Sequence, residues 1–170
     1  CWTKNGIAAV SSERPDTIDE GLKVPAGVAL DAVSILGFLL KQKKPPVPII
    51  VFCMRKQDTY DLAERFLAEH AKQQAPQLSL AFDGLPETSA NSFLSKTIGQ
   101  RIAAHNADLM DEERQVVEDH LQSGKLDVVF ATSTLAAGVN FPLGAAVFAS
   151  WARWDGDRRA YVAIESAEFH

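Results

Sequence analysis

Two patterns of apolar residues alternate along the 170 residues of this chain. Short runs rich in β-branched and aromatic residues, such as Ile49–Phe52 and Val128–Ala131, are typical of strands buried on both faces. Between them lie longer stretches in which apolar residues recur every three or four positions, as in a helix with one buried face. Val28–Lys41 shows this spacing and is followed by Pro45 and Pro46, which stop a helix. The chain is therefore predicted to alternate strands with helices.

The predicted elements define an α/β fold. The segments predicted to be strands of one sheet are Ile49–Phe52, Arg101–His105, Val128–Ala131 and Ala145–Ser150, and Ile7–Val10 is a candidate first strand. The segments predicted to be helices are Val28–Lys41, Asp58–Gln74 and Asp111–Ser123, the last with Asp111 as its N-cap. The mixed composition of Gln77–Asn91 predicts no element. Strands that alternate with helices favour a mostly parallel sheet covered by helices on both faces, a three-layer α/β/α architecture.

Composition limits the class of protein. Hydrophobic residues make up 46% and charged residues 23% of the chain, which is typical of a single soluble globular domain. The longest apolar stretch, Val28–Leu40, is interrupted by Asp31 and is too short to span a bilayer. No apolar core precedes Arg14, as a signal peptide would require. We therefore expect an intracellular protein without membrane contact, cytoplasmic or nuclear, in which Cys1 and Cys53 are free thiols.

Several kinds of site are excluded in the same way. The net charge of −5 argues against binding to nucleic acid by bulk positive charge, although a local basic groove is compatible with it. Histidines and cysteines do not stand at metal-ligand spacing, so no metal site is expected. Ser133 lies in no Gly-x-Ser-x-Gly turn, and no Gly-x-Gly-x-x-Gly follows a strand. Serine hydrolase and dinucleotide-binding functions are therefore not favoured.

The segment Leu126–Pro142 carries the most informative chemistry. Its apolar run leads directly into Thr132-Ser133-Thr134 and then into a turn of small residues with Gly138. In open α/β sheets, ligands bind at the carboxyl ends of the strands. Hydroxyl groups, exposed backbone N–H groups and glycine can hold phosphate oxygens there. The same residues also allow a structural interpretation, in which the threonines cap a short helix and Gly138 ends a turn.

Three segments resemble motifs of superfamily-two helicases. Ile49–Thr59 is similar to motif IV, His105–Arg114 to the segment between motifs IV and V, and Ala131–Pro142 to motif V of the superkiller-like DExH type. The motifs stand in the family's order and at compatible spacing, and the resemblance extends roughly from Ile7 to the end. It implies that residues 25–170 form the second RecA-like, or helicase C-terminal, domain and stop before motif VI. Residues 1–24 would be the strand and linker that lead into it.

The resemblance implies the function of half a motor. The domain would belong to an ATP-dependent DNA or RNA helicase or translocase, bind single-stranded nucleic acid, and close on ATP and Mg²⁺ held by an N-terminal RecA-like domain. The phosphate loop Gly-x-x-x-x-Gly-Lys-Ser/Thr and the Asp-Glu-x-His or Asp-Glu-Ala-Asp box do not occur in the 170 residues. We therefore expect the chain alone to bind no cofactor and to hydrolyse no ATP. The alternative is a non-catalytic RecA-like module that binds nucleic acid or protein.

The resemblance also assigns roles to individual residues. Thr132, Thr134 and Gly138 of motif V would contact nucleic-acid phosphates, together with Arg55 after the motif IV strand. Asn140 would couple this contact to the nucleotide when the two domains close. Each assignment competes with an ordinary role, because surface arginines often follow strands and an asparagine in a turn can bond its own backbone. No residue of the chain is expected to be catalytic by itself.

The segment between motifs IV and V contains further polar residues. We interpret His105 as a hydrogen-bonded structural residue, and we expect Arg114 to pair with Asp111 or Glu118 on its own helix. Asp108 departs from the family pattern, in which many relatives have His-His-Ala-Gly where this chain has His-Asn-Ala-Asp. The change from glycine argues against a close approach of the backbone to a ligand at Asp108.

An aromatic and basic cluster follows the last predicted strand. Trp151 and Trp154 stand among arginines, and such a cluster offers a surface on which bases stack. The alternative is a solvated hairpin that turns around residues 155–157. The aspartates in that turn dilute the positive charge, so we favour the hairpin.

Overall fold

The computed structural model describes residues 2–3, 6–7, 31–70, 80–132, 135, 143–149, 152–155 and 160–163. The strands within these ranges are β1 (Trp2–Thr3), β2 (Gly6–Ile7), β3 (Ile49–Phe52), β4 (Ile102–His105), β5 (Val128–Ala131), β6 (Ala145–Phe148), β7 (Ala152–Asp155) and β8 (Ala160–Ala163). The helices there are α1 (Ala32–Leu40), α2 (Lys56–His70), α3 (Ser89–Thr97) and α4 (Asp111–Gln122). Short 3₁₀ turns at Leu80–Phe82 and Ile98–Gln100 lie on either side of α3.

Strands β3 to β6 form one parallel sheet in the order β4-β5-β3-β6. The pairing is in register, with Val128 of β5 beside both Ile49 of β3 and Ile102 of β4. The prediction that these four segments belong to one mostly parallel sheet is confirmed. We call the edge of the sheet where the four strands end the carboxyl edge. The last residues of the strands there are His105, Ala131, Phe52 and Phe148.

Helices cover both faces of this sheet. Alternate residues of a strand point to opposite faces, so each strand contributes to two apolar clusters. On one face, Phe130 packs with residues of α1 and α2 that include Leu36 and Phe66. On the other face, Val129 packs with residues of α3 and α4 that include Leu94. The predicted three-layer α/β/α architecture is therefore confirmed.

Helix α1 begins four residues after Val28, where the apolar pattern starts. Asp31 has an extended backbone and is the N-cap, because its Oδ1 accepts hydrogen bonds from the backbone N–H groups of Val33 and Ser34 at 3.1 and 3.3 Å. The Ser34 hydroxyl donates to the other carboxylate oxygen at 2.7 Å and lowers the pKa of Asp31. The aspartate that interrupts the apolar run is thus the residue that starts the helix.

The starts of α2 and α4 also differ from the prediction. Helix α2 begins two residues before Asp58, and its predicted end at Gln74 lies outside the described residues. The prediction that Asp111 is the N-cap of α4 is wrong, because Met110 occupies that position and Asp111 is the first helical residue. The carboxylate of Glu113 accepts from the Met110 backbone N–H at 2.8 Å. The backbone N–H of the N-cap residue is therefore satisfied by a glutamate three positions further along, as in one half of a capping box.

Helix α3 lies partly in Gln77–Asn91, for which the sequence predicted no element. Thr88 is its N-cap, and its hydroxyl accepts from the Asn91 backbone N–H at 2.8 Å. Ala90 and Leu94, one helical turn apart, are buried against the sheet. Ile98, one further turn along, is buried in the same cluster, so the apolar spacing of this helix lies mostly beyond Asn91, where the segment of mixed composition ends.

Two short antiparallel pairs complete the described strands. Strand β7 pairs antiparallel with β8, and Asp155 lies beside Ala160, as the hairpin interpretation expects; residues 156–159 between the two strands lie outside the described residues. Strand β1 pairs with β2, of which only Ile7 belongs to the predicted strand Ile7–Val10; residues 8–10 lie outside the described residues. No helix in the described part of the chain is long and apolar enough to cross a membrane.

Gly144, at the start of β6, has no room for a side chain. Its N–H donates to the Pro48 carbonyl at 2.9 Å. A Cβ at this position would overlap the Pro46 carbonyl and lie 2.8 Å from the backbone nitrogen of Val47. We expect Gly144→Ala to lower the free energy of unfolding by about 1–3 kcal/mol, because backbone atoms cannot move aside as a side chain can. Urea unfolding measures this change.

The neighbouring exposed position provides the control. Ala146→Ser on β6 should change the free energy of unfolding by less than about 0.5 kcal/mol. Equal unfolding midpoints for Gly144→Ala and the unmodified chain would contradict this packing of β6 against residues 46–48.

Candidate nucleic-acid interface

Three chain segments leave the carboxyl edge next to one another. Residues 53–55 follow β3, residues 106–109 follow β4, and Thr132 follows β5. Since β5 lies between β3 and β4, Thr132 stands between the other two exits. Its N–H donates to the His105 carbonyl at 3.0 Å, which extends the pairing of β4 with β5 by one residue. The segments that resemble motif IV, motif V and the region between them therefore meet at one edge.

Arg55 is the more exposed of the two predicted contact residues that the structure describes. It lies in the bend between β3 and α2, and its side chain is 80% exposed. Its Nη2 lies 2.6 Å from Oδ1 of Asp58, and its Nε lies 3.1 Å from both oxygens of the same carboxylate. The guanidinium thus stands at the carboxyl edge in contact with solvent, and it already holds one oxyanion.

Thr132 lies deeper in the domain. The residue is only 8% exposed, and its carbonyl accepts from the Leu135 N–H at 3.2 Å. A phosphate contact by Thr132 would therefore use a small exposed part of the residue. The remaining predicted contacts, Thr134 and Gly138, and the predicted coupling residue Asn140 lie outside the described residues.

A polar network that sequence reasoning missed joins α2 to the segment after β4. Asn106 and Thr59 are fully buried, and Nδ2 of Asn106 donates to the Thr59 hydroxyl oxygen at 2.7 Å. The Thr59 hydroxyl donates to the Lys56 carbonyl at 2.6 Å, and Oδ1 of Asn106 accepts from the Asp108 N–H at 2.8 Å. The Lys56 ammonium contacts the Asp108 carboxylate. The network therefore fixes the start of α2, directly after Arg55, relative to the end of β4.

In the sequence, this network is marked by the departure from the family pattern at residues 106–108, where asparagine and aspartate replace histidine and glycine. The Asp108 N–H is occupied by Asn106, which agrees with the inference that no ligand approaches the backbone there. The carboxylate that replaces the glycine hydrogen contacts Lys56. Thr59 shares one face of α2 with the buried Ala63 and Phe66, but its side chain is polar, so a pattern of apolar residues does not include it.

Comparison with known proteins identifies the family. Residues 31–159 match the family described as helicase conserved C-terminal domain. The chain belongs to this family. The predicted resemblance to the C-terminal domain of a superfamily-two DExH helicase is confirmed, and the α/β architecture is the RecA-like fold that it implied.

The similar proteins are much longer than this helicase C-terminal domain. Activating signal cointegrator 1 complex subunit 3 of Homo sapiens is 30% identical over 128 residues, which are 72% of this chain and 6% of that protein. DExH-box ATP-dependent RNA helicase DExH10 of Arabidopsis thaliana is 25% identical over 140 residues, 78% of this chain and 14% of that protein. ATP-dependent DNA helicase Hel308 of Pyrobaculum calidifontis is 45% identical over 62 residues, 36% of this chain and 9% of that protein. The matched part is thus a small fraction of each relative.

Two hydrogen-bonded side chains, His105 and Arg114, lie behind the carboxyl edge of the helicase C-terminal domain. His105 is 2% exposed, and its Nε2 lies 3.0 Å from Oε1 of Glu118. The carboxylate requires a proton on Nε2, so His105 donates, which supports its interpretation as a structural residue. Arg114 pairs with Asp111 at 3.0 Å, one of the two predicted partners, and also donates to the Leu109 carbonyl at 3.2 Å.

The described part of the helicase domain offers neither a metal centre nor a reactive thiol. Among the described residues, no group of three His, Cys, Asp or Glu side chains could hold a metal ion. Cys53 is buried and in no disulfide, and burial, with a smaller effect of Asp58, raises its pKa to about 12. The thiol therefore stays protonated at neutral pH and is a poor nucleophile. The chemistry of the edge is that of cations and hydrogen-bond donors.

His105 should make the stability of the helicase domain depend on pH. Burial, which outweighs the bond to Glu118, lowers its pKa below the ordinary 6.5. The unfolded chain therefore binds a proton more readily than the folded chain, so stability is fully present above pH 6.5 and is lost as the pH falls through the lowered value. We expect His105→Gln to remove this loss, which is about 1.4 kcal/mol per unit of pKa difference.

Urea unfolding at pH 7.5 and pH 5.5 checks this expectation. The unmodified chain should lose more stability between the two values than His105→Gln does. The other histidines are present in both proteins and cancel in the comparison. Equal losses would show that the His105 pKa is the same in the folded and unfolded chains.

Proposed function

We propose that this domain is the C-terminal RecA-like half of an ATP-dependent helicase or translocase that acts on DNA or RNA. The observation that carries the proposal is the membership of residues 31–159 in the helicase conserved C-terminal domain family. Relatives named as ATP-dependent RNA and DNA helicases support the use of ATP and nucleic acid by the longer protein. Residues 25–170 would form the domain and residues 1–24 would lead into it. The protein would act in the cytoplasm, or in the nucleus of a eukaryotic cell.

The ATP site is assigned to an N-terminal RecA-like domain of the same protein. The 170 residues contain no phosphate loop, and among the described residues no group of three His, Cys, Asp or Glu side chains could hold a metal ion. Phosphoryl transfer depends on such positioned charges. Asn140 is the proposed coupling residue, through which closure of the two domains would link strand binding to hydrolysis.

The role proposed for this half is to hold one nucleic-acid strand by its phosphates. Arg55 and Thr132 at the carboxyl edge would supply a guanidinium and a hydroxyl, and Thr134 and Gly138 would extend the contact along motif V. These groups recognise phosphate oxygens and not base edges, so binding would not depend on sequence. Because the guanidinium contact is ionic, affinity would fall as salt rises. The shared edge of Arg55 and Thr132 in the fold supports this proposal.

Substitution of Arg55 tests the interface. We expect Arg55→Ala to weaken binding of a labelled oligodeoxythymidylate several-fold at low salt, because one ionic contact to phosphate is lost. The slope of log affinity against log salt should become shallower, by no more than about 0.7. Thr132→Ala should weaken binding without changing this slope, since its contact is uncharged. Fluorescence anisotropy over a salt series measures both quantities.

Lys125→Ala is the matched control for the loss of a cation. Lys125 is exposed and lies between α4 and β5, at the opposite edge of the sheet. Its removal should leave the salt slope unchanged. In the full-length protein, Arg55→Ala and Thr132→Ala should also reduce nucleic-acid-stimulated ATP hydrolysis, whereas Asn140→Ala should impair coupling more than binding. Unchanged affinity and stimulation in both edge variants would show that strands bind elsewhere.

A further inference from the structure

Both cations at the start of α2 are paired with carboxylates of the domain itself. Arg55, just before the helix, holds Asp58, and Lys56, its first residue, contacts Asp108. We propose that Asp58 and Asp108 act as internal competitors for phosphate and thereby limit the affinity of the carboxyl edge for single-stranded nucleic acid. The proposal rests on the proposed function, because it concerns the regulation of the same interface. It adds two acidic residues to that interface.

Asp58 occupies Arg55 in the manner expected of a phosphate. The Nε and Nη2 atoms of the guanidinium both face one carboxylate, at 3.1 Å and 2.6 Å. Planar two-point pairing of this kind is how arginine binds both carboxylates and phosphates. A phosphate that approaches this side of Arg55 must therefore displace Asp58. Binding exchanges one oxyanion for another, so it yields less favourable free energy than phosphate binding by an unpaired arginine would yield.

Asp108 competes from a different element. The Lys56–Asp108 contact joins residues 52 positions apart in the sequence, across the exits of β3 and β4. The backbone of Asp108 is held by its N–H bond to the buried Asn106 side chain, which in turn bonds Thr59 of α2. The same buried network therefore fixes both sides of the ion pair. The fold therefore keeps the two charged side chains within reach of each other.

The ion pair between Lys56 and Asp108 is also easy to exchange. The two side chains are 52% and 47% exposed, and ion pairs at this exposure contribute little to stability. A strand can therefore replace Asp108 at Lys56 without unfolding the edge. Such a competitor lowers the affinity for the strand but still permits binding. It also reduces the net release of counterions that accompanies phosphate contact, so the salt dependence of binding becomes shallower.

The test measures binding of oligodeoxythymidylate by the 170-residue chain and by Asp108→Asn over a salt series. We expect tighter binding by Asp108→Asn and a salt slope that is steeper by about 0.7, because one more cation becomes available to the strand. The gain in affinity should itself increase about threefold between 200 and 50 mM salt. Asp58→Asn should act in the same direction through Arg55, and it provides an independent variant at the second pair.

Asp119→Asn is the matched control for the change in charge. Asp119 is exposed in the last turn of α4, and its carboxylate accepts from Gln115 at 2.8 Å, which an asparagine oxygen can also do. It lies two helical turns beyond the start of α4, where salt screens its effect on the carboxyl edge. Its substitution should leave the salt slope unchanged.

A double-mutant comparison separates ion-pair exchange from a general effect of charge. In a Lys56→Gln background, Asp108→Asn should increase affinity no more than Asp119→Asn does. An equal gain with and without Lys56 would overturn the proposal. The proposal would also be overturned if Asp108→Asn and Asp58→Asn both left affinity and salt slope unchanged while Arg55→Ala still weakened binding. In that case the proposed interface would remain supported. If Arg55→Ala and Lys56→Gln both leave affinity unchanged, the interface and the competition fail together.

Discussion

In-register pairing of the parallel strands β3, β4 and β5 determines where the polar groups of this domain stand. Because these strands end level, the segments after them emerge side by side, and the bond from the Thr132 N–H to the His105 carbonyl continues the pairing beyond the strands. A shift of one residue would turn every strand side chain to the other face and bury the wrong residues in both apolar layers. The position of the candidate interface therefore follows from the packing of the core.

The buried pair of Asn106 and Thr59 connects that core to the interface. Burying an amide is costly unless its hydrogen bonds are made, and Asn106 makes bonds through both its nitrogen and its oxygen. The result is a fixed relation between the start of α2 and the end of β4. On an acidic chain, with net charge −5, cations held in this way and paired with acids would suit the proposed strand contact, which would have to form and break repeatedly. A motor that steps along nucleic acid has to release its contacts as readily as it forms them.

The sequence predicted the parts of the fold that depend on composition. The four sheet strands are short, mostly apolar runs that each contain at least one β-branched residue, and such runs favour a buried strand. Helix boundaries depend on single side chains instead: Asp31 starts α1, Glu113 caps the start of α4, and Thr88 starts α3. Motif resemblance placed Arg55 and Thr132 at the same edge. It could not supply the Asn106–Thr59 bond, because those residues are 47 positions apart and both have polar side chains, which a pattern of apolar residues does not include.

Amide chemical shifts of the ¹⁵N-labelled chain report whether nucleic acid binds at the carboxyl edge. On titration with oligodeoxythymidylate at low salt, the account predicts that the largest shifts occur at residues 53–56, 106–109 and 132, and that they disappear as salt is added. Largest shifts at the opposite edge of the sheet, around Arg101 and residues 124–127, with the carboxyl edge unchanged, would contradict it.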